Sequence, residues 1–208
     1  MQIQTEDWGM VDYMQAYQRQ RQAVDAVIAG GPERLIFCEH PPVLTLGRMT
    51  RPESFLFDKE DIQRQGIQVE AIDRGGDVTL HAPGQLVVYA VMDLNVRGKD
   101  LKRYLKQLEY VAVALLKDFG ILAISVPGKR GVFVDADKII SIGIGVRKWV
   151  TYHGLGINVS TDLSLFRFIR PCGLDVRMTT MNKALGKAVD MQDVRTAFTK
   201  RFLEAFRS

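Results

Sequence analysis

The sequence predicts an α+β fold: a mixed, largely antiparallel sheet flanked by helices. Three observations carry this. Met10 to Ala29, Leu101 to Phe119 and Val189 to Phe206 place apolar residues at three- and four-residue steps, the period of an amphipathic helix. Between Ala123 and Val159, short apolar runs are separated by turns too brief for a helical crossover, so they pair as antiparallel hairpins. The helical and strand segments do not alternate as repeated βαβ units, and no internal repeat or linker divides the chain, which reads as one domain over residues 1–208.

In order, the first helix carries Tyr13, Ala16, Tyr17, Val24, Val27 and Ile28 on one face and ends at Gly30-Gly31-Pro32. Leu35 to His40 is a strand candidate broken by Pro41-Pro42, and Val43 to Arg48 is a second. Phe57 to Gln65 reads as a short helix with Asp58, Glu60 and Asp61 near its start and Gly66 as its stop. Strands Ile67–Asp73 and Leu86–Leu94 enclose a glycine-rich loop, Arg74 to Gln85. Asp100 caps the helix whose apolar stripe is Leu101, Tyr104, Leu105, Leu108, Val111, Ala112, Leu115 and Leu116. Its opposite face, with Lys102, Arg103 and Lys106, is either a solvated surface or a docking surface for an acidic carrier. Ala123–Val126, Gly131–Val134, Lys138–Val146 and Val150–Val159 follow as strands, then the C-terminal helix.

Composition narrows the function. A hydrophobic share of 47% with 25% charged residues is that of an ordinary soluble domain. No apolar run approaches the roughly 18 residues of a membrane span, and the N-terminus is polar and acidic rather than a secretory signal, so the expected location is cytoplasmic. The formal charge of +4 suits an acidic protein or an anionic small molecule, while the absence of a dense basic run with interleaved aromatics argues against nucleic acid. Cys38 and Cys172 are far apart in a chain expected to be reduced, and neither they nor His40, His81 and His153 show metal-ligand spacing.

Chemistry concentrates in three places. The loop Arg74-Gly75-Gly76-Asp77-Val78-Thr79-Leu80-His81 is entropically costly to order, as expected where backbone must bend sharply or approach a ligand. The strand Lys138 to Val146 puts Ile140, Ile142, Ile144 and Val146 on one face and Ser141, Gly143 and Gly145 on the other; the next strand pairs Leu155 and Ile157 against Gly154 and Gly156. These bare faces read either as a slot for a slim apolar chain or as a bed for a tightly packed helix. In a regular strand Lys138 shares the isoleucine face, where burial disfavours an ammonium and suits proton transfer; a solvated turn lysine is the alternative. Cys172, between Pro171 and Gly173, reads as a thiol presented by a turn, whereas Cys38 reads as a buried small hydrophobe. His40 could face the site or close a strand end.

Taken together, EHPPVLTLGR, RGGDVTLHAPGQLVVY, GVFVDADKIISIGIGVRKWVTYHGLGINV and RPCGL with Met178-Thr179-Thr180 resemble the lipoate-biosynthesis octanoyltransferases, also called lipoate-protein ligase B. The resemblance implies the fold of the biotin and lipoate protein ligases. It implies transfer of an octanoyl group from acyl carrier protein to a lysine of a lipoyl domain of the 2-oxoacid dehydrogenase complexes or the glycine cleavage H protein. It places the nucleophile on Cys172, its proton partner on Lys138, and substrate binding on Arg74 to His81, on Ser141, Ile142 and Gly143, and on Gly154, Leu155 and Gly156. It calls for no cofactor: no ATP and no metal. His81 is expected to orient a group or line the pocket. Leu80 and Ala82 depart from the family pattern of Tyr and Gly around the histidine, which bears on acyl-length preference.

Overall fold

The computed structural model describes residues 3–170 and 176–206. A seven-stranded sheet runs in the order β1 (Ile3–Met10), β2 (Glu33–Glu39), β6 (Gln85–Val91), β10 (Val150–Asn158), β9 (Asp137–Arg147), β8 (Lys129–Val134) and β7 (Ile124–Val126). Only the β1–β2 pair is parallel; the others are antiparallel. A smaller sheet sets β3 (Val43–Leu46) between β4 (Gln68–Ala71), parallel to it, and β5 (Val78–His81), antiparallel. The α+β expectation holds.

Helix α1 (Tyr13–Ile28) packs on one face of the large sheet, starting at Asp12, whose side chain accepts from the Met14 and Gln15 amides. Helices α3 (Leu101–Asp118) and α5 (Met191–Phe206) cover the other face, and Asp100 caps α3 by accepting from the Arg103 amide. The predicted stripe of α3 is the buried one from Tyr104 to Leu116; Leu101 is left at the surface. The short helix α2 (Lys59–Arg64) and the 3₁₀ segment Leu163–Phe168 close a third apolar cluster over the small sheet. The remaining helix, α4 (Met181–Leu185), follows Thr180, whose hydroxyl accepts from the Lys183 amide. Among the described residues, no helix is long and apolar enough to cross a membrane.

Two strands escape the sequence pattern. β1 is an edge strand with mostly exposed side chains, so it lacks the alternation that marks a half-buried strand; its partner β2 lies beyond a whole helix. β5 lies inside the stretch read as a loop, where Val78 and Leu80 bury against β3.

The antiparallel β9–β10 pair sets Gly143 opposite Gly154 and Ser141 opposite Gly156, so the two bare faces adjoin. The nearest atoms to these glycines belong to no helix. Loop and side chains fill them instead: a methyl at Gly143 would meet the Arg74 side chain and Gly75 O, one at Gly145 the Tyr152 ring, one at Gly156 the Gln85 amide, and one at Gly154 the Val88 carbonyl of β6. The last neighbour is backbone in the middle of the sheet and cannot swing away. Gly154→Ala is therefore expected to lower the unfolding free energy by about 3 kcal/mol, the scale of core overpacking. Urea denaturation measures this.

Candidate active site

A pocket of about 820 Å³ opens beside β9, within the range of small-molecule sites. It is lined by Arg74, Gly75, Gly76, Asp77, Val78, Thr79 and His81, by Lys138, Ser141, Ile142 and Gly143, and by Gly154, Leu155 and Gly156. Leu80 is the exception among the predicted binding residues. β5 alternates, so Leu80 turns into the small-sheet cluster with Leu44, Ile62 and Ile67, and Ala82 joins the same cluster. Both departures from the family pattern thus fall on the core side of the strand.

Lys138 reaches the pocket by a route the alternation pattern does not give. β8 and β9 pair Val132 with Ile140 but Phe133 with Lys138, so Ile139 is an extra residue in β9. A bulge of this kind shifts the side-chain parity. Ile139 and Ile140 both bury in the cluster under α3 and α5, and Lys138 falls on the face of Ser141 and Gly143 rather than with the isoleucines. The side chain is 3% exposed, its stem crosses Gly131, and Nζ lies 5.8 Å from the Phe133 ring centroid. Its backbone is clamped: Lys138 N donates to Arg177 O (2.8 Å) and Thr179 N donates to Lys138 O (2.9 Å).

Cys172 lies outside the described residues. The chain before it is tied to the pocket: Arg170, which lines it, donates its amide to Ser54 O (2.8 Å), and the Ser54 hydroxyl donates to the Asp77 carboxylate (2.7 and 2.9 Å). The chain after it is the Arg177–Thr179 stretch that clamps Lys138.

The glycine-rich loop is anchored by its own charged residues. The Arg74 guanidinium is buried and donates to Thr45 O (2.6 Å) and Thr45 Oγ1 (3.0 Å) on β3. Gly75 N donates to Ile144 O (2.8 Å) and Val78 N to Asp77 Oδ1 (2.6 Å), so these two amides hold the loop rather than facing a substrate oxygen. Asp73, just before the loop and not flagged by any pattern, accepts from Tyr17, Arg21, Tyr152 and His153. The His153 bond first, then the tyrosine hydroxyls, hold its carboxyl well below the usual carboxylate range. The sequence signal available was only an acid adjoining Arg-Gly-Gly.

His81 and His153 line the pocket from buried positions. His81 donates from Nδ1 to Gln85 Oε1 (2.6 Å), because the Gln85 amide nitrogen already donates to Leu80 O and Asn158 Oδ1. Burial pushes His81 down to about 3, so it is neutral at working pH, with Nε2 unprotonated. His40 does not line the pocket. It sits behind it, donating from Nδ1 to Val11 O (2.7 Å) and accepting from Tyr89 Oη (2.6 Å) at Nε2. Cys38 is buried beside it and burial raises its thiol, as fits a small core residue. Tyr13 and Tyr89, both pocket-lining, carry no local sequence signal beyond their apolar pattern.

These features fit the relatives found by comparison. The family profile described as Lipoyl protein ligase A/B catalytic domain matches residues 12–203. A curated octanoyltransferase of Geobacter metallireducens is 43% identical over 198 residues, covering 94% of this chain and 90% of that one. Another, of Bacteroides fragilis, is 37% identical over 216 residues and covers 98% of both. Among solved structures, lipoate-protein ligase A bound with ATP superposes with a TM-score of 0.74 at 20% identity, covering 99% of this chain and 85% of that one, a likeness of fold. The curated relatives thus mark the chain as an acyltransferase, and its fold is that of the ligase-type catalytic domain. The chain belongs to the lipoyl protein ligase A/B catalytic family, on its octanoyltransferase side.

Burial lowers the pKa of His40, His81 and His153 alike, so each is neutral in the folded protein but titrates near 6.5 when unfolded. Unfolding below that pH takes up protons. Their contribution to stability is complete above about pH 6.5 and declines as pH falls towards the folded values. For His81 alone the loss at pH 5 is on the order of 2 kcal/mol. Urea unfolding between pH 7 and 5 should show stability falling with pH, and His81→Asn should flatten that slope by about one proton; parallel slopes would contradict the assignment.

Proposed function

We propose that the protein transfers an octanoyl group from octanoyl-acyl carrier protein to a lysine of a lipoyl domain through a thioester on Cys172. The observation that carries this reading is the placement of Lys138: a bulge turns it into the pocket, and its backbone is held by Arg177 and Thr179, five and seven residues after the cysteine. Cys172 follows the pocket-lining Arg170 by two residues, and two residues of chain reach at most about 7 Å.

The Lys138 amine takes the proton from the Cys172 thiol, and the thiolate attacks the carbonyl of the carrier thioester. The tetrahedral intermediate collapses with release of the carrier thiol, which regains a proton from the Lys138 ammonium. The lipoyl-domain lysine amine then attacks the acyl-enzyme, Lys138 accepts the proton, and an amide replaces the thioester as Cys172 leaves. Thioester exchange followed by amide formation runs downhill, so the reaction needs neither ATP nor a metal. Both protein substrates are acidic domains, which suits the net positive charge.

Transfer to a lipoyl domain should proceed with octanoyl-acyl carrier protein and without nucleotide. Cys172→Ala should abolish it, and Lys138→Met should lower kcat by about 10²-fold or more, the range of a lost general base. Activity of Cys172→Ala that depends on ATP and free acid would instead mark a ligase.

A further inference from the structure

His153 is the one residue of β10 whose backbone breaks the strand. Its φ of +59° is left-handed, a conformation that β-strand residues other than glycine rarely adopt. Its position opposite Ile144, between Thr151 and Leu155, would in a regular strand send the side chain towards α3, where Thr151 meets Tyr104 and Leu155 joins the core. The kink sends it to the α1 face instead. There the imidazole stacks on Tyr17 (centroids 5.6 Å apart, planes at 10°) and donates from Nε2 to Asp73 Oδ1 (3.2 Å). The freed backbone N–H of His153 donates to Gln20 Oε1 of α1 (2.9 Å).

The strain is held by Asp73. Besides His153 it accepts from Tyr152 Oη (2.6 Å) and Tyr17 Oη (3.0 Å), so one carboxylate ties α1, β10 and the start of the glycine-rich loop together. Both strands of connection end in pocket wall: Gly154–Gly156 follow His153 directly, and Arg74–Gly76 follow Asp73. His153 lines the pocket too, at its buried end with Tyr13, His81 and Tyr89. Lys138 stands further along β9, five register steps from the residue that pairs with His153 once the bulge is counted, roughly 17 Å of strand, and its stem over Gly131 spans part of that distance. A chain attached near Lys138 that follows the pocket along β9 meets His153. Strain maintained by several converging contacts at such a place is typical of a functional constraint.

We infer that Asp73 is a positioning residue and His153 a specificity-determining one: together they close the buried end of the acyl pocket and restrict the length of chain it accepts. This rests on the pocket's being the acyl site, but not on the Cys172 thioester.

The test compares octanoyl-, decanoyl- and dodecanoyl-acyl carrier protein as donors for wild type, Asp73→Asn and His153→Gly, with melting curves in parallel. Glycine adopts the left-handed backbone freely, so His153→Gly removes the imidazole without the strain. The expected result is a fall of about tenfold in kcat/KM for octanoyl, mainly through KM, and a rise of about tenfold in the decanoyl-to-octanoyl ratio. If Asp73→Asn does not fold, Tyr152→Phe removes one hydroxyl from the carboxylate while keeping the ring against Gly145, and should shift the ratio in the same direction. An unchanged ratio, with activity falling equally for all donors or only stability lost, overturns the inference. Should Cys172→Ala remain active, the thioester mechanism fails while the ratio still decides this one.

Discussion

A single extra residue in β9 determines that Lys138 faces the pocket. Without the bulge at Ile139, Lys138 would follow the parity of Ile140, Ile142 and Ile144 into the cluster beneath α3 and α5, where an amine has nothing to act on. With it, two consecutive isoleucines bury on one side and Lys138 crosses to the other, its stem laid over Gly131. The Arg177 carbonyl and the Thr179 amide then fix the Lys138 backbone from both sides. The chain that carries the cysteine is thereby joined to the strand that carries the lysine.

The rest of the pocket is held by buried and half-buried polar contacts rather than by apolar packing alone. Arg74 reaches back to Thr45, Asp77 holds Ser54, Gln85 fixes the His81 tautomer, and Asp73 gathers donors from α1 and β10. A buried polar group without a partner is costly, so each of these contacts limits the conformations open to the loop. The glycines serve this arrangement by leaving room: Gly143 admits Arg74 and Gly75, and Gly156 admits Gln85. The bare strand faces are beds for the loop and its anchors, and the cavity is what remains between them.

Much of this was legible in the sequence because it is local or periodic. The spacing of Tyr104, Leu108, Val111 and Leu115 marks α3, Asp100 marks its start, and the close turns mark the β7–β10 hairpins. Of the binding residues that the glycine motifs single out, all but Leu80 line the pocket. What escaped depends on partners distant in sequence. β1 is a strand only because β2 pairs with it, and β5 only because β3 does. The side of Lys138 depends on a bulge, that of Leu80 on β5 being a strand, and the importance of Asp73 on donors that lie 52 to 80 residues away along the chain. His153 passes as an ordinary strand histidine until its backbone angle is known.

The fold is shared with a ligase bound with ATP, so architecture alone does not fix how the acyl group is activated. In the proposed mechanism, activation is a thioester exchange on the enzyme itself. The direct measurement is intact-protein mass after mixing with octanoyl-acyl carrier protein in the absence of acceptor, followed by peptide mapping. The mechanism predicts one added octanoyl group, located on the peptide containing Cys172, discharged by hydroxylamine and missing from Cys172→Ser as a thioester. An unmodified enzyme in the presence of intact donor would contradict it.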